Sequence, residues 1–526
     1  MRDERRAAGV TATLWMLVAG LIGMYLLLFA MCAAGRLARP ADEFTYGESW
    51  LLDGARQVAQ GAGLYAPANQ IPLMHVAYTP LYYAVVGGLQ RAFGDGGYTV
   101  GRWVSLIATL VGASALAWSM QRLTARSSVG LLAAGLFLTQ NLTTLLWAPL
   151  HRVDPLALGL TLVGLALATA GRFSLAGVFF LLALMTKQTY VVAPLAVAGA
   201  LWPCKARLLR FAAIVVGGGV VGVGLAQWMT RGWFLWHTLA ANNNEPDLTT
   251  FSALMGSFMQ FNGLPVLAAL VSFVLPARPP VRPHGRTYPT GSPGNAAPQA
   301  RQQDTRQAAF PGERLWRLYL VGTLLTLPTI AKLGASSNYW LELTAASAAA
   351  LALASHRLAA WPLARPLAPT IVAGALLVAV PGYQATAVEA AANLSDLIQP
   401  TQPRYLSLVA DIGAAPYRVE AHFIDKIAHE PGDLLTDNSG LAVAAGKRVE
   451  YEFQIFQLLH VEGLWSEQPI LDAIDARRFS LVALMHPLDG PALGTRWTPA
   501  VHKALNAAYT PAGVEAGFWL YRPRGY

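Results

Sequence analysis

Apolar stretches of about 20 residues recur along the chain from residue 11 to about residue 385. Folded as an α-helix, a stretch of this length matches the hydrocarbon core of a bilayer. Charged residues make up only 13% of the chain, about half of the roughly 25% typical of soluble domains. We therefore expect an all-α polytopic membrane protein with about 11 transmembrane helices in residues 1–385, among them spans near 99–120, 128–149 and 154–171.

The character of the sequence changes after residue 385. Residues 386–526 contain short apolar segments, such as 434–436 and 480–484, that alternate with helical stretches. This alternation predicts a small soluble α/β domain. Within the membrane part, residues 277–312 are rich in Pro, Gly, Gln and Arg, which is typical of a disordered loop without a catalytic role.

The net charge of +9 comes from short clusters of Lys and Arg between the apolar stretches. They do not form the basic face with interleaved aromatic residues that nucleic-acid binding requires, so nucleic acid is not expected as a partner. Such clusters mark cytoplasmic loops. With an odd number of spans, the pattern predicts a multi-pass membrane protein, surrounded by membrane lipids. The N-terminus and residues 277–312 would be cytoplasmic, and the C-terminal domain would be periplasmic or extracellular.

A long polar loop after the first span contains three close carboxylates, those of Asp42, Glu43 and Glu48. Like charges shift each other's pKa, which can prepare one of them as a general base. The alternative is that acids simply favour a helix N-terminus. Residues 43–60 and 80–93 have the pattern of amphipathic helices, so we expect surface-lying helices in this first outer loop.

Two further ionisable groups lie at predicted span boundaries. Arg152 and Asp154 belong to an outer turn, where charges are costly and tend to be functional. An ordinary ion pair, or Asp154 as the N-cap of the next helix, would explain them equally simply. Residues 172–205 suffice for two short helices, which would leave Lys187 unpaired in a recessed outer pocket. A snorkelling lysine is the alternative.

Asn338, Tyr339 and Glu342 lie at the outer mouth of a later predicted span. A belt of interfacial aromatic residues with an incidental acid would give the same pattern. However, all four groups come from distant parts of the sequence and fall on one predicted face of the membrane. This convergence favours a shared functional site.

Residues 42–48 read D-E-F-T-Y-G-E and match the D-E-x-x-Y-x-E of the bacterial aminoarabinose transferases at every fixed position. Residues 78–83, Y-T-P-L-Y-Y, are similar to their E-K-P-P-L-x-Y-W stretch but lack its Glu-Lys. Residues 153–155, V-D-P, and 186–188, T-K-Q, are similar to their L-D-P and T-K-G. The chain thus resembles the type C membrane glycosyltransferases, which include these enzymes and the protein O-mannosyltransferases.

The resemblance implies an inverting glycosyltransferase of the bacterial inner (plasma) membrane. It would move a sugar from a polyprenyl-phosphate donor to a lipid, glycan or protein acceptor in the cell envelope, on the outer face of the membrane. Asp42 would be the general base, with Glu43 and Glu48 beside it in the catalytic group. Lys187 and Arg152 would neutralise the departing lipid phosphate. The other residues would hold these groups and bind substrate: Tyr46, Tyr78, Tyr82, Asp154, Gln188, Asn338, Tyr339 and Glu342.

No cofactor is indicated with certainty. A divalent metal ion stays an open question, because the Glu of the E-K-P-P stretch is replaced and the remaining acids show no definite ligand spacing. A transporter or flippase of lipid-linked sugars is the alternative function. It would be expected to have paired halves with matching helix breaks, and the sequence shows no such internal symmetry.

Overall fold

The computed structural model of the protein describes residues 2–242, 246–274, 312–332, 334–361, 364–384, 386–388, 391, 405–409, 416–490 and 496–525. The predicted cytoplasmic loop, residues 277–312, lies outside the described residues except for Gly312.

Helices form most of the described chain up to residue 388, as the apolar stretches predicted. Their bounds are Arg2–Leu37, Glu48–Ala59, Leu81–Phe93, Tyr98–Thr124, Ser127–Thr139, Leu142–Trp147, Val153–Thr169, Phe173–Thr186, Val192–Leu201, Lys205–Ala212, Gly218–Met229, Trp233–Thr238, Leu248–Val274, Gly312–Leu325, Leu341–Leu358 and Leu367–Val378.

Three helical segments in the described part of the chain are long and apolar enough to cross a membrane: Ala8–Leu37, Tyr98–Thr124 and Lys205–Met229. Two bent pairs of helices, near residues 251–271 and 367–388, raise this number to 5 if each pair is one span. Four shorter apolar helices of 10–17 residues accompany them. The protein is therefore a helical membrane protein, and the total of about 11 spans stays a prediction.

The span predicted near residues 128–149 is not one helix. It divides into Ser127–Thr139 and Leu142–Trp147, because the Asn141 side chain accepts a hydrogen bond from the Thr143 amide at 2.9 Å and caps the second helix. Residues 172–205, in contrast, form two short helices, as predicted.

Helix Phe173–Thr186 ends at Lys187, whose backbone is extended with φ −151°, and the next helix is Val192–Leu201.

Small residues let two of the apolar helices approach closely. A Cβ at Gly159 of helix Val153–Thr169 would lie 2.5 Å from the carbonyl oxygen of Ala108 in helix Tyr98–Thr124. Backbones this close are typical of small-residue contacts between membrane helices.

The two predicted helices of the first outer loop are Glu48–Ala59 and Leu81–Phe93. They pack against each other, and a Cβ at Gly87 would lie 2.6 Å from the Ala55 carbonyl oxygen. Leu52 of the first helix is 1% exposed and belongs to a hydrophobic cluster with residues of the C-terminal domain. The first helix is therefore covered by protein.

The C-terminal part has the predicted α/β character. Four strands form a sheet in the order Asp433–Thr436, Phe479–Leu484, Phe518–Pro523 and Tyr509–Glu515. The first two strands are parallel, with Thr436 opposite Ala483, and the other two pairs are antiparallel. A separate antiparallel pair consists of Tyr405–Leu408 and Tyr417–Glu420. The helices are Ala421–His429, Ser439–Ala444, Phe453–Val461, Gln468–Asp475 and Pro499–Ala508.

This domain is attached to the first outer loop by main-chain hydrogen bonds. The Leu73 amide donates to the Glu450 carbonyl at 2.8 Å, and the Glu452 amide donates to the Leu73 carbonyl at 3.0 Å. The Trp465 indole N–H also donates to the Ala68 carbonyl at 2.6 Å. Loop and domain therefore form one continuous layer over the membrane helices.

Beneath this layer, Arg102 of helix Tyr98–Thr124 makes a fully buried ion pair with Glu48. Its Nε and Nη2 atoms lie 3.0 Å from the two carboxylate oxygens. The guanidinium also donates to the carbonyls of Arg36, Arg39 and Asp42 at 2.5–2.8 Å. One side chain thus joins the end of the first helix, the acidic loop and the surface helix.

Replacing Arg102 by Met should destabilise the protein by about 3–5 kcal/mol, because the Glu48 carboxylate would stay buried without its counter-ion. Thermal unfolding of the purified protein in detergent measures this loss. Arg122→Met is the matched control, since Arg122 lies near the other end of the same helix and is exposed. Equal melting temperatures for the two variants would contradict the structural role of Arg102.

Candidate functional site

A cavity of about 380 Å³ lies where the first outer loop, the outer turn and the junction of the two short helices meet. We call it the cationic cavity. Six of the residues predicted for the site line it: Tyr78, Arg152, Lys187, Gln188, Asn338 and Tyr339. The C-terminal domain contributes Ile455 to the wall. The predicted convergence of distant segments is therefore present, while the roles of these residues stay predictions.

Lys187 is buried at the wall of the cationic cavity, and its Nζ lies 2.5 Å from Asp154 Oδ1. Asn338 Nδ2 donates to the same oxygen at 2.9 Å. The expectation that Lys187 is unpaired is thus wrong, because a buried ammonium group requires a nearby counter-ion. Its side chain is only 5% exposed, so it does not extend outward as a snorkelling lysine would.

Two tyrosine rings flank this ammonium group. Lys187 Nζ lies 5.4 Å from the ring centroid of Tyr78 and 5.0 Å from that of Tyr339. Both distances permit cation–π attraction. Together with Asp154, the rings fix the position of the positive charge before any ligand arrives.

The second predicted cation, Arg152, lies over the Trp147 ring at 5.2 Å and donates from Nη1 to the Tyr46 carbonyl at 3.1 Å. Gly47 permits this approach: its φ of 94° is in the left-handed region, and a Cβ there would collide with Arg152 Nη1. Arg152 Nε has no hydrogen-bond partner among the described residues. Among the described residues, the guanidinium donates only to Tyr46, so its terminal N–H groups can still donate to a ligand in the cavity.

Lys332 also lines the cationic cavity, and it was not among the residues predicted for the site. It follows a predicted span, where a basic residue looks like an ordinary span end. Within the described ranges, its ammonium group has no salt-bridge partner. The described lining of the cationic cavity contains three cationic side chains, those of Arg152, Lys187 and Lys332, and no carboxylate.

Of the three first-loop acids, Glu48 and Glu43 are completely buried. Besides Arg102, Glu48 accepts from the amides of Phe44 and His151 at 2.8 and 2.7 Å, which gives it a structural role. Glu43 accepts from the amides of Ser49 and Val409, both at 3.2 Å. Burial raises the pKa of Glu43 to about 7.

Asp42 is the only one of these three acids with exposed surface, 9% of the residue. Its Oδ1 accepts from the Ser407 amide at 3.1 Å, and its Oδ2 lies 3.7 Å from Arg39 Nη1. Burial raises the pKa of Asp42 above its ordinary value. Asp42 does not line the cationic cavity, but it belongs to the loop whose Tyr46 carbonyl binds Arg152.

Three of the remaining predicted residues, Tyr46, Tyr82 and Glu342, lie outside the lining of the cationic cavity, whereas Gln188 belongs to it. Tyr46 packs edge-on against Trp50, a lining residue, at 4.7 Å between ring centroids. Gln188 donates to two backbone carbonyls at 2.8 and 3.0 Å. Tyr82 donates to a backbone carbonyl at 3.3 Å, and Glu342 accepts from a tyrosine hydroxyl at 3.2 Å.

In the part of the chain that the structure describes, no group of three or more His, Cys, Asp or Glu residues is arranged to hold a metal ion. The dependence on a divalent metal therefore stays an open question.

No family model matches the sequence, and no curated protein matches it. Among solved structures, ArnT from Cupriavidus metallidurans bound to undecaprenyl phosphate is similar with a TM-score of 0.56 at 11% identity, over 95% of this chain and 98% of ArnT. The apo state of the same protein has a TM-score of 0.56 at 12% identity, over 96% of this chain and 98% of ArnT. The Archaeoglobus fulgidus oligosaccharyltransferase complex with Zn and sulfate has a TM-score of 0.47 at 11% identity, over 95% of this chain and 73% of the oligosaccharyltransferase.

ArnT is an aminoarabinose transferase of the type C membrane glycosyltransferase family. The likeness extends over nearly the full length of both chains. The chain therefore has the fold of ArnT, and the resemblance to the type C membrane glycosyltransferases is confirmed.

Proposed function

We propose that the protein is a glycosyltransferase that moves a sugar from a polyprenyl-phosphate donor to an acceptor of the cell envelope, at the outer face of the membrane. The cationic cavity carries the proposal, because its described lining has three cations and no carboxylate. Such a lining attracts an anionic ligand. ArnT, whose fold the chain shares, binds undecaprenyl phosphate in its crystal structure.

The donor phosphate would lie between the three cations of the cavity. Arg152 presents a planar guanidinium that suits two phosphate oxygens, whereas Lys187 and Lys332 act as point charges. Lys187 is held in place by Asp154 at 2.5 Å. A charge fixed in advance costs no reorganisation when negative charge develops on the departing phosphate.

In the proposed reaction, the acceptor hydroxyl oxygen attacks the anomeric carbon from the face opposite the phosphate. The bond between that carbon and the phosphate oxygen breaks, its electron pair departs with the lipid phosphate, and the configuration inverts. Asp42 takes the hydroxyl proton, and its raised pKa makes it a stronger proton acceptor. Asp42 is the best candidate because Glu43 and Glu48 are enclosed by hydrogen bonds.

Lys332→Ala should weaken donor binding by about tenfold to a hundredfold, since one charge-assisted hydrogen bond to the phosphate is lost. Binding of a polyprenyl-phosphate sugar to the protein in nanodiscs measures the effect. Lys332 is a cleaner probe than Lys187, whose removal would leave Asp154 buried without its partner. Lys503→Ala, at an exposed position of the C-terminal domain, is the matched control. Wild-type affinity in Lys332→Ala would remove this residue from the phosphate site.

Asp42→Asn should lower the transfer rate by about a hundredfold to ten-thousandfold, because the amide keeps the size of the side chain but cannot accept the proton. Donor binding should be unchanged. The activity of the wild type should fall on acidification at a higher pH than an ordinary aspartate would give, since protonation removes the base and burial raises its pKa. Asp425→Asn, at an exposed position, serves as the control. Near-normal turnover of Asp42→Asn would exclude Asp42 as the base.

The proposed orientation places Cys204 in the cytoplasm and the C-terminal domain outside, and labelling of cysteines tests it. Cys204 is free and exposed. In intact spheroplasts, a membrane-impermeant maleimide should leave Cys204 unlabelled and should label a cysteine introduced in place of Ala512, which is exposed in the C-terminal domain. Both positions should react after permeabilisation. Labelling of Cys204 before permeabilisation would contradict the orientation.

A further inference from the structure

A second cavity, of about 410 Å³, lies between the first outer loop and the C-terminal domain. We call it the inter-domain cavity. Helix Glu48–Ala59, the end of helix Leu81–Phe93 and residues 446–448 of the C-terminal domain form its wall. The same helix Glu48–Ala59 reaches both cavities, because Trp50 lines the cationic cavity. The proposed sugar transfer gives the inter-domain cavity no role.

Three buried polar side chains form the inner wall of this cavity. Asp53, Gln57 and Gln90 are 4%, 8% and 4% exposed, and all three line it. Gln57 Nε2 donates to Asp53 Oδ2 at 2.6 Å. Buried polar groups at such a wall are fixed in position, as recognition of a polar ligand requires.

Gln90 provides the observation that points to a ligand. Its Nε2 donates to Asp95 Oδ1 at 3.3 Å, but its buried Oε1 has no hydrogen-bond partner in the described part of the chain. Most buried polar atoms have a partner, and leaving one without a partner is costly. A donor from outside the protein, such as a ligand hydroxyl, would satisfy this oxygen.

The charges around the inter-domain cavity argue against an ionic ligand. Arg56 Nε is already paired with Asp95 at 2.7 Å. Lys447 Nζ donates to two backbone carbonyls at 2.7 and 3.1 Å. The remaining cation, Arg448, is attracted electrostatically by the carboxylate of Asp53. An anion would therefore meet two carboxylates, and a cation would meet several basic groups.

We propose that the inter-domain cavity is a binding site for a neutral carbohydrate. A sugar hydroxyl both donates and accepts hydrogen bonds, so it can satisfy the Gln90 oxygen and also meet the carboxylate and amide groups beside it. A site built to bind hydroxyl groups discriminates strongly against ligands that lack them. The binding does not require that the cationic cavity holds a donor or that transfer takes place.

Saturation-transfer NMR on the full-length protein in nanodiscs tests the proposal, with maltotriose and N,N'-diacetylchitobiose as the probes. At least one saccharide should bind to the wild type. Gln90→Leu should weaken that binding by about tenfold, the equivalent of one hydrogen bond. Ala62→Trp should do the same by filling the rim of the cavity, since Ala62 is an exposed lining residue whose replacement spares the buried wall.

Two control variants make the result decisive. Ala512→Trp adds the same side chain at an exposed position away from the cavity and should bind the saccharide as the wild type does. Lys332→Ala should also bind it normally, even if donor binding is impaired. The proposal would be overturned if neither saccharide bound to the wild type, or if Ala62→Trp bound as tightly as Ala512→Trp. Loss of binding in Lys332→Ala would place the saccharide in the cationic cavity instead and would equally refute the proposal.

Discussion

The ion pair between Arg102 and Glu48 is the constraint on which the outer half of the protein depends. A guanidinium without exposed surface must have its donors satisfied, and here a carboxylate and three backbone carbonyls satisfy them. The same carboxylate accepts from the His151 amide at 2.7 Å, so the pair also fixes the outer turn. Arg152, the next residue, lines the cationic cavity. The structural ion pair between Arg102 and Glu48 thus sets the position of Arg152, a residue proposed to bind the donor phosphate.

The C-terminal domain is a second constraint on the same loop. Asp42 and Glu43 both accept from amides in the segment 405–409, those of Ser407 and Val409. The acids are therefore buried by a domain that lies more than 360 residues away in sequence, and this burial raises their pKa values. Without the domain, Asp42 and Glu43 would lose these two hydrogen bonds and part of their burial. The domain belongs to the candidate site because it determines the chemistry of the proposed base.

The features that could be predicted from the sequence follow from local rules. The helices near residues 99–120 and 154–171, the break at Lys187 and the first-loop helices depend on hydropathy and charge within short windows. Arg102 and Lys332 were missed because one lies inside an apolar stretch and the other looks like a span end. An arginine within a span must find a partner, and this rule would have drawn attention to Arg102. The pairing of Lys187 with Asp154 was not predictable from spacing, because it depends on how helix Phe173–Thr186 packs against helix Val153–Thr169.

The proposed function requires that the cationic cavity holds the phosphate of a lipid-linked sugar. A cryo-EM structure of the protein in nanodiscs that contain a polyprenyl-phosphate sugar tests this requirement directly. We expect phosphate density within hydrogen-bond distance of Arg152, Lys187 and Lys332, with the lipid chain leaving the cavity towards the bilayer. Phosphate density at any other place in the protein, with the cationic cavity unchanged from the lipid-free state, would show that the cavity is not the donor phosphate site.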